Sequence, residues 1–145
     1  MKKSDIAFLA SLRRNARETL TAISRKTKIP ISTLYDKLKI HEGNVIIKHT
    51  TLIDFAKLGY SCRANILLRT TRDSRDNLCS YLKEHPQINN LFKINNGYDF
   101  MAEGIFESVK SMEDFLDDLE QRFALEEKRF HYIIDDLKRE CFAMQ

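Results

Sequence analysis

The spacing of apolar residues changes once along this 145-residue chain, and that change limits the folds open to it. Up to about residue 40 apolar positions recur every three or four residues: Phe8, Leu9 and Leu12, then Leu20 and Ile23, then Ile31, Leu34 and Leu38. That is the period of short helices with one buried stripe each. From Cys62 the period drops to two, with Cys62, Ala64, Ile66 and Leu68 separated by Arg63, Asn65 and Leu67. That is the period of a half-buried strand. A chain that switches period once is expected to be α+β, with a helical unit in front of a sheet unit.

In the front half, Ser4 or Asp5 can cap a helix running to about Asn15, and Thr19 can cap a second. Lys26-Thr27-Lys28 breaks the second stripe, and Ile29-Pro30 follows. Proline disfavours helix in the residue before it and suits a first turn, so a third helix is expected near Pro30 or Ile31. Gly43-Asn44 should end it. Three short helices with a tight turn before the third predict a helix-turn-helix. The β-branched run Val45–Ile53 reads as a strand or small wing, and Asp54–Tyr60 as a connector.

The back half predicts, after the first strand, a helix over Ser74–His85 and a strand over Ile88–Asn95. Asn96-Gly97 is a strong hairpin signal, returning the chain as a strand over Tyr98–Phe106. Ser111-Met112-Glu113-Asp114 resembles a capping box before the stripe Phe115, Leu116, Leu119 and Phe123. A last strand passes through Phe130, Tyr132 and Ile134. The order βαββαβ is that of a ferredoxin-like unit. Its two helices cover one sheet face. The other should carry Leu67, Leu91, Met101, Ile105 and Ile133, an apolar set that calls for a second copy of the chain. The expected division is a helix-turn-helix domain over residues 1–51, a connector over 52–60 and the ferredoxin-like domain over 61–145.

Charge follows the same division. Residues 1–60 hold 12 Lys/Arg against 5 Asp/Glu, and the remainder 12 against 16. A basic front suits a polyanion, nucleic acid first, and the plain alternative is a solvated lysine-rich surface. Three widely spaced cysteines, Cys62, Cys79 and Cys141, point to reduced thiols in a cytoplasm rather than to disulfides or zinc. No apolar run is long enough to cross a bilayer, and Met1-Lys2-Lys3 is not followed by the apolar core of a signal peptide. His41, His49, His85 and His131 are too scattered for a local metal motif. The phosphate-binding, dinucleotide and serine-hydrolase glycine motifs are absent, as is Cys-x-x-Cys. No cofactor, metal site or catalytic set is expected.

Beyond composition, the front half matches a specific pattern. Asp5, Phe8, Leu9, Leu12, Asn15, Ala16 and Arg17 fill D-x-x-[IL]-L-x-x-L-x-x-N-A-R in register, with Phe8 at the [IL] position. Thr19-Leu20 and Ser32-Thr33-Leu34 follow where [ST]-L and S-T-[VL] are wanted, and Gly97-Tyr98-Asp99-Phe100 resembles a G-x-[YF]-D element. In these features the chain resembles the Lrp/AsnC family, the feast/famine regulators of bacteria and archaea, from about Asp5 to Leu137. There are departures: Lys37-Leu38 stand where Arg-Val is usual, Lys28 replaces the turn glycine, Pro30 replaces a capping serine, and His41 falls where Leu is common.

The resemblance implies a transcriptional regulator that binds pseudo-palindromic double-stranded DNA as a homodimer or a larger assembly such as an octamer. On the third helix Ser32, Thr33, Tyr35, Asp36, Lys37 and Lys39 would enter the major groove, with Arg13, Arg14, Arg17, Lys26 and Lys28 on phosphates. Asn96, Gly97, Tyr98 and Asp99 would border an effector site, with Asp99 meeting the ammonium of an amino acid and N–H groups near Gly97 its carboxylate. The bland reading of that segment is a turn. Competing functions are an enzyme like the siroheme decarboxylases, which share the two-part architecture, an effector-independent DNA-organising protein, and a regulator that binds protein partners only. The histidine- and arginine-rich segments expected of the enzyme are not evident.

Overall fold

A computed structural model describes residues 1–142. Among them the chain forms two compact units, one of Met1–Leu52 with the stretch from Lys138, the other Ile53–Leu137.

The first unit holds three helices: α1 (Lys3–Arg14), α2 (Leu20–Thr27) and α3 (Ile31–His41). Asp5 accepts the Lys2 N–H at 3.0 Å and so caps α1, while Arg13 and Arg14 sit in its last turn, where cations suit the helix dipole. Thr19 Oγ1 accepts the Ala22 N–H at 3.2 Å and starts α2. Lys28 ends α2 in the left-handed region, φ 61° and ψ 20°, so a lysine takes the conformation a glycine adopts at less cost. Ser24 Oγ donates to the Ile29 carbonyl at 2.6 Å across this turn. Pro30 precedes α3, as its fixed φ allows. Phe8, Leu12, Ile23 and Leu34 form the core, flanked by Leu20, Ile29, Leu38 and Ile46.

The wing does not form. Past α3 there is one isolated bridge, Glu42 to Ile46, and residues 47–54 have no regular structure. Ile47 is 93% exposed. The β-branched run has strand propensity but no neighbouring strand to pair with, and propensity alone does not make a strand. The stretch from Lys138 belongs with the helical unit rather than with the sheet. Arg13 holds it there, through Nη2 to Glu140 Oε2 at 2.9 Å and Nε to the Phe142 carbonyl at 3.1 Å.

The second unit is β1 (Cys62–Thr70), α4 (Arg75–Glu84), β2 (Ile88–Lys93), β3 (Phe100–Phe106), α5 (Val109–Arg122) and β4 (Leu125–Tyr132). The sheet is antiparallel in the order β2-β3-β1-β4, the ferredoxin-like arrangement. Cys62, Ala64, Ile66 and Leu68 face Leu78, Leu82, Met112, Phe115, Leu116 and Leu119 from the helices. The opposite face carries Leu67, Met101 and Ile105, as expected from the alternation, since Leu67 pairs with Met101 and Arg63 with Ile105.

The last strand, expected to pass through Ile134, ends at Tyr132 and leaves Ile134 96% exposed, and three further details differ from expectation. Leu91 lies on the core side, opposite Ala102, because the register shifts between Ile88 and Asn90 and moves the rest of β2 over by one residue. The capping box of α5 forms a turn early. Ser108 Oγ accepts the Ser111 N–H at 3.2 Å and Ser111 Oγ accepts the Ser108 N–H at 3.0 Å. Asp114 instead pairs with Lys110 at 3.1 Å. The hairpin is wider than a two-residue turn: the strands end at Lys93 and resume at Phe100. Asp99 draws that end toward β1, giving its N–H to the Leu68 carbonyl at 2.9 Å.

Candidate nucleic-acid interface

Leu34, fully buried, sets the rotation of α3. With that residue in the core, Ser32, Thr33, Tyr35, Asp36 and Lys39 all face solvent, and Tyr35 is 61% exposed. Their hydroxyl, phenol, carboxylate and ammonium groups can reach base edges and phosphates alike. Lys37 does not join them. Its side chain is 12% exposed and its ammonium is ion-paired with Asp5 on α1. His41, one turn on, places Nε2 3.6 Å from the same carboxylate. The bond from Lys37 is the main reason the Asp5 carboxyl is held below its ordinary pKa.

The expected phosphate contacts also divide. Arg14, Arg17 and Lys28 are exposed and have no ion-pair partner among the described residues. Lys26 is paired with Glu18. Arg13 is occupied by Glu140 and the Phe142 carbonyl.

In the sheet unit, Asn96 and Gly97 both have positive φ, 63° and 98°, which suits an Asn-Gly pair. Asp99 is already engaged: one oxygen accepts the Thr70 N–H at 2.9 Å and the other holds Arg75 Nη2 at 2.9 Å. Tyr98 donates its hydroxyl to Glu127 at 2.8 Å, and that bond, more than burial, pushes the phenol pKa up. Among the described residues no group of three or more His, Cys, Asp or Glu is gathered as a metal ion would need.

No protein-family model matches the chain. The HTH-type transcriptional regulator FL11 of Pyrococcus horikoshii is 28% identical over 114 residues, spanning 78% of this chain and 76% of that protein. LrpC of Bacillus subtilis has the same fold, with a TM-score of 0.85 at 19% identity over 95% of this chain and 97% of that one. So does AsnC of Escherichia coli, at 0.84 and 11% over 96% and 95%. A Neisseria meningitidis transcriptional regulator in complex with L-Met gives 0.87 at 17% over 96% and 93%. The likeness runs through both units, and the front-half pattern is met in register.

The chain is similar to HTH-type transcriptional regulators and has the fold of Lrp/AsnC regulators.

Two residues bearing on the candidate interface carry little signal in sequence. Asp5 reads there as a helix cap and His41 as a departure from Leu. What could have drawn them out is that Asp5 is the one acid in α1 and that Lys37 and His41 are four apart on α3.

Proposed function

We propose that this protein is a sequence-specific DNA-binding transcriptional regulator, working as a homodimer or a larger homo-oligomer. The observation that carries the reading is α3, whose polar residues Ser32, Thr33, Tyr35, Asp36 and Lys39 face outward together on a unit rich in Arg and Lys. Arg14, Arg17 and Lys28, exposed and unpaired among the described residues, are proposed for the flanking phosphates. Two copies related by a two-fold axis suit pseudo-palindromic half-sites about 34–36 Å apart or a multiple of that.

The L-Met complex of the Neisseria regulator supports an amino-acid effector here. Asn96, Gly97, Tyr98 and Asp99 are proposed to border it. The ammonium would have to share Asp99 with Arg75 and the Thr70 N–H, so Asp99 is the weakest of the four contacts.

Selection of bound genomic fragments followed by sequencing tests the function. A recurrent inverted motif, bound with an affinity that falls steeply with salt, is the expected result. Binding no better than to random DNA at physiological salt overturns the reading.

A further inference from the structure

We infer that Asp5, Lys37 and His41 form a clasp that fixes how α3 is presented to DNA, and that Lys37 is therefore a positioning residue rather than a DNA contact. This rests on α3 being the DNA-reading helix.

Leu34 sets which face of α3 is buried, and few polar contacts refine that orientation. Pro30 at its start makes no side-chain cap bond, and no acid sits in its first turn. Leu34 and Leu38 pack on Phe8, Leu12 and Ile23, but apolar contact is non-directional and permits small rotations. A charge-assisted hydrogen bond is directional. Asp5 supplies one at the first turn of α1: one oxygen accepts the Lys2 N–H at 3.0 Å, and the other faces Lys37 Nζ and His41 Nε2. The side chains of all three residues are 15% exposed or less.

Helix geometry sets Lys37 on the side of α3 away from Tyr35 and Lys39, with Thr33, four residues before it, at the border between the two faces. Residues two apart lie about 200° apart around a helix, so Lys37 points away from both Tyr35 and Lys39. If those two face the groove, Lys37 faces α1. His41, four residues on, shares the face of Lys37. Its carbonyl accepts the Asn44 and Ile46 N–H groups at 3.1 and 2.9 Å, so it also closes the end of the helix. His41 Nδ1 is buried with no hydrogen-bond partner among the described residues, and Nε2 lies 3.6 Å from the Asp5 carboxylate.

The test compares Lys37→Met, Lys37→Arg, Asp5→Asn and Lys39→Ala by fluorescence anisotropy, using a site found by fragment selection and random DNA, over a range of salt. Lys37→Met should lose roughly tenfold in affinity for the selected site, with an unchanged salt slope. Lys39→Ala should flatten the slope by about 0.9. Asp5→Asn removes a negative charge, which by charge alone would tighten binding. The clasp requires that it weaken specific binding, and that adding Lys37→Met do little more. Lys37→Arg should keep most of the specificity. A flatter salt slope for Lys37→Met, or tighter specific binding by Asp5→Asn, overturns the inference.

A DNA-free readout separates this from failure of the proposed function. The Asp5 carboxyl carbon, followed by NMR titration, should move to a higher pKa in Lys37→Met. If it does not move, there is no clasp, whatever the DNA result. If it moves while the native protein shows no preferred site, the regulator reading fails and Lys37 remains a clasp residue.

Discussion

Lys28 shows how one residue can carry two opposed demands. Its left-handed backbone favours glycine, while its ammonium is proposed to meet a phosphate. Lys28→Gly is expected to stabilise the helical unit by up to about 1 kcal/mol, since it relieves the left-handed cost and pays back part in chain entropy. It should also weaken all DNA sites alike; thermal unfolding beside a DNA titration checks both. Glu103 is the second case. It is 7% exposed on the outer sheet face, where burial alone would raise its pKa. Bonds from Asn90, Arg63 and Asn89 outweigh burial and leave it below the usual carboxylate range. Its contribution is therefore present in full above the unfolded value of about 4.3 and is lost as pH falls through the lower folded value. Glu103→Gln should cost about 1–3 kcal/mol at neutral pH and flatten the acid limb of a urea-midpoint profile. Arg63 keeps Asp136 at 2.8 Å, which limits the loss. At this scale the sequence was readable for what a residue is and poorly readable for whom it meets. Lys37 looks like a reader from its place on α3, and only a carboxylate 32 residues earlier turns it inward.

Elements were more legible than residues, because periodicity reports which face is buried. All five α-helices and all four strands of the described residues were expected, while the short 3-10 turns at Phe55–Leu58 and Arg72–Ser74 were not, and β1 alternates without a break. What escaped depended on a partner strand or a single extra residue: the unpaired run after α3, and the shift between Ile88 and Asn90 that turned Leu91 to the core. Gly104 is a feature of this kind in β3. A Cβ there would stand 2.3 Å from Phe106 Cε2 and 2.6 Å from Cζ. The ring of Phe106 folds back over the bare backbone and is fully buried. Gly104→Ala must displace that ring, and a loss of about 1–3 kcal/mol is expected. Denaturant unfolding of the variant, with near-ultraviolet dichroism reporting the aromatic packing, is the check.

For the molecule as a whole, the outer sheet face is the surface that needs a cover. Leu67 and Met101 lie on it half-buried, Ile105 is only 8% exposed, and Phe92 beside them is 50% exposed. Phe92→Arg, at the exposed position, is expected to shift the proposed assembly toward a single-chain mass by light scattering while the fold survives, since the opposite face holds the core. The two cores of the chain lead to one more expectation. The helical unit buries Phe8, Leu12, Ile23 and Leu34, whereas the sheet unit buries twelve residues in its own cluster. Buried area scales with core size, so the helical unit has the smaller margin against heat. Calorimetry should show two transitions, the first carrying the smaller enthalpy and coinciding with loss of DNA binding. A single transition would mean that the two units melt as one. With two, and in the proposed homo-oligomer, warming would silence the readers while the sheet platform stayed assembled, and cooling would restore them without any need for the copies to find one another again.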